Sequence, residues 1–526
     1  MEEREEDKVI TLDSLSKHNT ETDCWIAVHQ KVWDITDFVA EHPGGSAVLL
    51  RCAGSNATKV FDSVHAPDII EQLPKEKLMG SLLLPQPAGP DDDAPVVQDG
   101  SETQVGGQAQ VGSINNNTST PPTTTPTMPI SPPAADPATP PPLSSILSSP
   151  DLTLAASAHL APKTWAFYSS AATDLVTHGK NRELVRRVML RPRVLRDVAA
   201  VDTSRTILGS RSAAPFFVSP AAMARLVHPD GELAISRGVA NEGIFQCISS
   251  NASYTLKSII SAAPPDHPFF LQLYVNSDRA KTTALLRQAR SLGVRAVFVT
   301  VDAPVPGKRE ADERAAQATA LRSSISGGEI SGGDRKGSGL GRLMARYIDK
   351  SLVWGDLAWI REASGGLPVV LKGVQTADDV VKAVEFGVDG VLLSNHGGRS
   401  LDGSQASILV LLELRKQCPW VFGKLEVYID GGFERGSDIL KAIALGATAV
   451  GIGRPYLYSL LYGQEGVQHL TQILKDELET SMRLLGITSL DQATSKLVNT
   501  RDIDYLVTEA GEEDVLAKPV KRESKL

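Results

Sequence analysis

Cysteine is scarce in this chain: four residues in 526, Cys24, Cys52, Cys247 and Cys418, with no Cys-x-x-Cys pair among them. That spacing argues against a disulfide framework and a thiolate zinc site, and it fits a reducing compartment with free thiols. No apolar run approaches the roughly 18 residues that a membrane-crossing helix requires, so no span is expected. Positive charge is also diffuse. The net charge is −9 and no Lys/Arg tract stands out, which argues against nucleic acid or an anionic membrane surface as a partner. The amino terminus, Met1-Glu2-Glu3-Arg4-Glu5-Glu6-Asp7, is too acidic for a secretory or mitochondrial presequence.

What is present is enough apolar residue for a large core, 42% of a chain long enough for more than one domain. Residues 85–150 are rich in Pro, Thr, Ser, Ala and Gly, with runs such as Pro121-Pro122-Thr123-Thr124-Thr125-Pro126 and Pro140-Pro141-Pro142. So few large apolar side chains cannot offset the entropy of ordering, and the segment reads as an extended linker. It separates a small domain, residues 8–84, from a large one, residues 151–508. A tail, 509–526, ends in Ser524-Lys525-Leu526. At a carboxyl terminus that tripeptide is the address read by the peroxisomal import receptor. Peroxisomal location is therefore expected, with the cytoplasm as the fallback.

In the large domain, short β-rich apolar segments alternate with helix-like stretches. They lie near Pro215–Ser219, Ile244–Ser250, Phe269–Tyr274, Ala296–Val301, Pro368–Lys372, Gly390–Ser394, Leu425–Asp430 and Ala447–Ile452. Eight such units predict an α/β fold, a (β/α)8 TIM barrel. Ser277–Gly293 and Thr376–Gly387 read as helices, with apolar spacing of 3 or 4 and a terminating Gly. In this architecture chemistry sits at the carboxyl ends of the strands. There the sequence places Gln272, Tyr274, Thr300, Asp302, Lys372, His396, Arg399, Asp430, Gly453 and Arg454. Polar groups at this many strand ends read as an active-site rim.

Within that rim, Ser394-Asn395-His396-Gly397-Gly398-Arg399 suits a 2-hydroxy acid. An Arg can fork onto a carboxylate, and a His titrating near neutrality can take a proton from the adjacent carbon or hydroxyl. Asp430-Gly431-Gly432 and Gly451-Ile452-Gly453-Arg454 come after the seventh and eighth strands. Glycines there let backbone N–H groups approach an anion, as in the phosphate cradle of many barrels.

In the small domain, Trp33-Asp34-Ile35-Thr36-Asp37-Phe38 leads into His42-Pro43-Gly44-Gly45, and His65 comes 65 − 42 = 23 residues later. Two His ligands would fill both axial positions of a haem iron, a pattern for electron transfer rather than oxygen binding. This stretch closely resembles a cytochrome b5 domain, of small α+β type.

The barrel resembles the FMN-dependent 2-hydroxy acid oxidases. The order of b5-like domain, linker and barrel resembles the flavocytochrome b2 type of L-lactate dehydrogenase, over roughly residues 8–84 and 155–505. The resemblance implies FMN and haem b, held by His42 and His65, and a homotetramer. It casts His396 as base, Asp302 as its carboxylate partner and Arg399 as the grip on the substrate carboxylate. Arg309 would lie near substrate and flavin, and Tyr274 would bond the substrate hydroxyl. Ser249, Gln272, Thr300 and Lys372 would meet the flavin ring, with Lys372 stabilising negative charge on it. Ser219 to Ala222, Ala221 included, would line its other edge. Asp430, Gly432, Gly453 and Arg454 would face the ribityl phosphate.

Three residues depart from the family pattern. Phe167 stands where the family has the first of two tyrosines, the one that helps hold the substrate carboxylate. Asn251 stands where an apolar or aromatic residue lines the substrate side-chain pocket, which points to a more polar or larger acid than lactate. Glu434 replaces an Arg in the Gly-Gly-x-Arg-Arg-Gly pattern near the phosphate. Three functions remain open at this level: a dehydrogenase passing electrons to a cytochrome-like acceptor through its haem, a peroxisomal oxidase releasing hydrogen peroxide, and a non-catalytic haem or flavin sensor. Whether hydrogen leaves carbon as proton or hydride is also open.

Overall fold

The structure is a computed structural model, and it describes residues 9–40, 42, 46–62, 70, 73–83, 139–315, 321–327, 329–330 and 339–508. His65 and the Ser524-Lys525-Leu526 terminus lie outside these. The chain divides into two compact units, Met1–Thr125 and Pro126–Leu526.

In the first unit the strands are β1 (Val9–Thr11), β2 (Asn19–Thr20), β3 (Asp23–Val28), β4 (Lys31–Asp34), β5 (Ser55–Asn56) and β6 (Leu78–Leu83). They form one sheet in the order β1-β6-β4-β3-β2, with β5 beside β3. The helices are α1 (Leu12–Leu15), α2 (Ser46–Cys52) and α3 (Thr58–Asp62). The period-2 alternation of a strand sorts β3 between two small cores. Cys24, Ile26 and Val28 join Trp33, Ile35, Val39, Phe61 and Ile70, whereas Trp25 and Ala27 face Ile10, Leu15, Val32 and Leu82.

The second unit opens with helices α4 (Ser149–His159), α5 (Pro162–Ser169) and α6 (Val176–Arg187), then β7 (Met189–Leu190) and the β8 (Arg205–Ile207) and β9 (Ser210–Ser212) hairpin. Eight parallel strands then close a barrel: β10 (Phe216–Val218), β11 (Phe245–Ser249), β12 (Phe269–Leu273), β13 (Ala296–Thr300), and, after the short β14 (Leu321–Arg322) and β15 (Glu329–Ile330) pair, β16 (Val369–Val374), β17 (Gly390–Leu393), β18 (Glu426–Asp430) and β19 (Ala449–Ile452). Each predicted strand is found, and the fold is the predicted TIM barrel. The two predicted helices are also present, at Arg279–Ser291 and Ala377–Glu385. Asp278 and Thr376 cap their amino ends, and Gly293 and Gly387 come after them in left-handed backbone.

Alternation also builds the barrel interior. Phe217, Phe245, Cys247, Phe270, Phe298, Val370, Leu392 and Tyr428 point inward and fill the barrel as one apolar plug. Their neighbours Leu271, Leu273, Val297, Val299, Leu371, Val391, Val427 and Ile429 point outward to the surrounding core. In six strands the last inward apolar residue is followed two positions on by a polar one on the same face: Cys247 to Ser249, Phe270 to Gln272, Phe298 to Thr300, Val370 to Lys372, Leu392 to Ser394, Tyr428 to Asp430. The plug thus becomes the floor of the site.

The linker is shorter than the composition suggests. Residues 139–150 are packed onto the barrel unit: Ile146 is buried and its carbonyl meets His469 Nε2 at 2.7 Å, while Tyr462 donates to the Pro141 carbonyl at 2.8 Å. The segment docks through a 3-10 turn, Leu143–Ser145, and the first turn of α4, so composition overstated the unstructured stretch. All four cysteines are free. No described helix is long and apolar enough to cross a membrane.

Candidate active site

All the predicted rim residues except Thr300 and Asp302 line one cavity of about 460 Å³, within the usual range for small-molecule sites. Register explains part of this. Ser249 pairs with Gln272 across β11 and β12, and Thr300 pairs with Lys372 across β13 and β16. Gln272 Nε2 donates to Thr300 Oγ1 at 2.9 Å, and Ser249 Oγ donates to Gln272 Oε1 at 3.2 Å. Thr300 therefore stands one step behind the wall, orienting Gln272.

Lys372 is buried, donating to Ser394 Oγ at 3.0 Å and to Asp430 Oδ2 at 3.2 Å. Burial acts to lower its pKa, but Asp430 and Asp302 outweigh it and hold the ammonium above its ordinary value. Asp302 shows the converse balance. Burial alone would raise its pKa, yet His396 and Lys372 keep the carboxyl below the ordinary value. It reaches its place because Gly373, at φ +107°, has no Cβ; one added there would lie 2.5 Å from the Asp302 side chain.

His396 sits in left-handed backbone at φ +61°, with Gly397 at +64° and Gly398 at +79° after it. A non-Gly residue held there marks a conformation set by its surroundings. The turn aims the ring so that Nδ1 meets Asp302 Oδ1 at 3.0 Å and Nε2 meets the Tyr274 hydroxyl at 3.1 Å. With Nδ1–H donated to the carboxylate, Nε2 is left as the acceptor, the arrangement of a general base. Burial pushes the Tyr274 phenol up, so it remains a proton donor.

Positive charge crowds the cavity beside this pair. Arg309 and Arg399 lie over the Phe167 ring, at 5.1 and 5.3 Å, and both donate to the Phe167 carbonyl. Asp312 partners Arg309 at 3.4 Å. Burial, with Arg309 and Arg454 beside it, depresses the Arg399 pKa well below its ordinary value. A bound carboxylate would relieve that stress. Phe167 itself offers only its ring face, so the hydroxyl that the family motif supplies is absent from the described site.

The far end of the cavity is built from backbone. Gly431 and Gly432 come after β18 at φ +92° and +89°, and a Cβ on Gly432 would lie 2.3 Å from the Asn181 carbonyl. α6 thus packs directly on the glycine loop. Asn181 also exchanges two hydrogen bonds of 2.8 Å with Asn395, so one helix bolts the catalytic turn to the cradle. Neither Asn181, His178 nor Arg182 of α6 stands out in the sequence; a partner 214 residues away leaves no local signal. Arg454 is expected at the ribityl phosphate. It lines the cavity, but its guanidinium donates to the carbonyls of Tyr168, Gly397 and Ser170 at 3.0–3.1 Å. These bonds hold those segments together at the cavity wall.

The wall fits FMN. Ser219, Ala221, Ser249, Gln272, Lys372, Asp430, Gly432, Gly453 and Arg454 all line the cavity. Buried Asp430 Oδ1 has no hydrogen-bond partner among the described residues and can accept from a ribityl hydroxyl. In the small unit, half-buried His42 meets the Phe38 ring edge-on at 5.6 Å, and Val39, next to Phe38 in the chain, joins the apolar cluster with Phe61 and Ile70. It fits a haem ligand at an apolar wall.

Residues 156–500 match the family model for FMN-dependent dehydrogenases. This chain belongs to the FMN-dependent dehydrogenase family. Residues 11–83 match the cytochrome b5-like heme/steroid binding domain, so FMN and haem b are its cofactors, and the chain is an FMN-dependent 2-hydroxy acid dehydrogenase or oxidase. It is 39% identical over 502 residues to L-lactate dehydrogenase (cytochrome) of Saccharomyces cerevisiae, covering 92% of this chain and 78% of that one. The barrel alone, 64% of this chain, is 39% identical to a peroxisomal (S)-2-hydroxyacid oxidase of Arabidopsis thaliana, covering 92% of it. The flavin-binding domain of baker's yeast flavocytochrome b2 superposes with a TM-score of 0.62 at 41% identity, over 73% of this chain and 94% of that one.

Proposed function

We propose that this FMN-dependent dehydrogenase oxidises an L-2-hydroxy acid related to lactate, with a side chain that accepts a hydrogen bond, and passes the electrons to its haem b. The His396–Asp302 pair, with Tyr274 on the free imidazole nitrogen, carries the reading. Arg399 and Arg309 bind the substrate carboxylate, and Tyr274 donates to its hydroxyl. His396 Nε2 takes the proton, and Asp302 stabilises the imidazolium that results. FMN would supply the two-electron acceptor when bound, and the buried Lys372 ammonium would stabilise negative charge on its ring. His42 and His65 would hold the haem.

Asn251 supports the polar side chain. It is buried on the cavity wall, and its Oδ1 accepts from Ser326 Oγ at 2.7 Å and from Tyr347 OH at 3.0 Å. Two hydroxyls thus hold the amide oxygen, which directs the amide nitrogen elsewhere. Asn251→Leu is expected to move preference within a panel of 2-hydroxy acids toward apolar side chains; an unchanged ranking would overturn this choice of substrate.

A second reading, a peroxisomal oxidase with the haem domain auxiliary, is favoured by Ser524-Lys525-Leu526 and by the likeness of the barrel to the peroxisomal relative. Anaerobic mixing with 2-hydroxy acids, following flavin and haem absorbance separately, decides between them. Haem reduction on the turnover timescale supports the dehydrogenase. Flavin bleaching with the haem left oxidised, then peroxide on admitting oxygen, supports the oxidase. The import receptor as partner and peroxisomal location are proposed from the same tripeptide, and a homotetramer from the likeness of the barrel; imaging with and without the tripeptide, and light scattering, test them.

A further inference from the structure

The phosphate end of the cavity is short of free positive charge. Glu434 occupies the position of a common arginine, which leaves Arg454, donating to three backbone carbonyls, as the remaining predicted cation. Arg309 and Arg399 lie at the other end, over Phe167. Yet a phosphate cradle lined by a carboxylate needs a cation to hold a dianion.

Arg182 is placed for this. It lines the cavity from α6, one residue after Asn181, whose carbonyl abuts Gly432; a Cβ on that glycine would also lie 2.7 Å from Arg182 N. Its Nε lies 2.9 Å from Glu434 Oε2, with Arg186 Nη2 farther off at 3.8 Å. The contact with Arg182 is an ion pair without hydrogen-bond alignment, for Glu434 Oε2 is buried with no hydrogen-bond partner among the described residues. Because Glu434 engages the Nε edge, the two terminal nitrogens of Arg182 are left without a hydrogen bond to any described residue, in the fork that suits a phosphate.

We infer that Arg182, held by Glu434, is a cation that grips the FMN phosphate, standing on the facing helix in place of the glycine-loop arginine. Glu434 is a positioning residue: it fixes the guanidinium in orientation and does not itself touch the phosphate. The inference rests on the reading of the Gly432 and Gly453 loops as the phosphate cradle.

The test titrates FMN and riboflavin, which lacks the phosphate, into flavin-stripped full-length protein and reads binding from quenching of flavin fluorescence. Wild type should bind FMN more tightly than riboflavin; equal binding would sink the cradle reading itself. Arg182→Ala is expected to weaken FMN roughly 10- to 100-fold and leave riboflavin unchanged. Glu434→Arg in the Arg182→Ala background should restore FMN binding, whereas Glu434→Gln alone should weaken it by a smaller factor. If Arg182→Ala keeps the wild-type preference for FMN, or weakens both flavins equally, Arg182 is not the phosphate grip although the cradle stands. If Glu434→Gln tightens FMN, Glu434 is a repelling charge and not a positioner.

Discussion

The two ends of the cavity are made by different means. At the hydroxy-acid end, side chains hold side chains: His396 on Asp302 and Tyr274, Lys372 on Asp430 and Ser394, Gln272 on Thr300. At the cradle end, close backbone approach sets the shape. Gly431 and Gly432 admit α6 to contact distance, and Arg454 ties three carbonyls together. The first design sets protonation states and the directions of donors. The second sets a shape that no larger residue could enter. Chemistry and cofactor grip should therefore fail separately.

The largest effect tests that separation. His396→Gln removes the base while keeping a side chain of comparable size, and flavin reduction under substrate should slow by ~10²- to 10⁴-fold with FMN affinity unchanged. Stopped-flow bleaching and fluorescence titration on the same preparation check it; joint loss of both would break the comparison. Phe167→Tyr is a smaller change in the opposite sense. A phenol between Arg309 and Arg399 restores one donor to the substrate carboxylate, and KM should fall by about tenfold while kcat changes little.

The smallest effect sharpens the cradle end. His178, on α6, is held neutral to about pH 4, from an ordinary value of 6.5, by burial first and by Arg454 next. Because the unfolded chain takes the proton first, its contribution to stability is full above pH 6.5 and is lost as pH falls toward 4. The thermal midpoint of flavin-free His178→Asn protein should thus fall less steeply than wild type across that window.

How much of this was legible in sequence varied with the kind of interaction. The eight strands could be placed because each is a short apolar run between helical repeats, and local composition carries that information. His396, Lys372 and Asp430 were found because a barrel delivers strand ends to one rim. Thr300 and Arg454 were found as well, but not their partners: Thr300 accepts from Gln272, and Arg454 donates to three carbonyls. Residues 139–150 were assigned to the linker because proline content reports chain stiffness and not what the chain docks against. Asn181, His178 and Arg182 left no trace, since a mid-helix Asn, His or Arg is ordinarily a solvated residue.

By itself the sequence determined the features that periodicity and residue chemistry set. Inward side chains alternate from Phe and Tyr to Gln, Lys and Asp along each strand, which fixes a dry plug beneath a polar rim. The glycines after β18 and β19 fix where backbone can approach an anion. Tertiary structure decided the rest: which imidazole nitrogen faces Asp302, which arginines stack on Phe167, and which guanidinium still has a free fork. Those outcomes depend on angles of a few tens of degrees between groups that lie tens to hundreds of residues apart, and only closure of the barrel sets them.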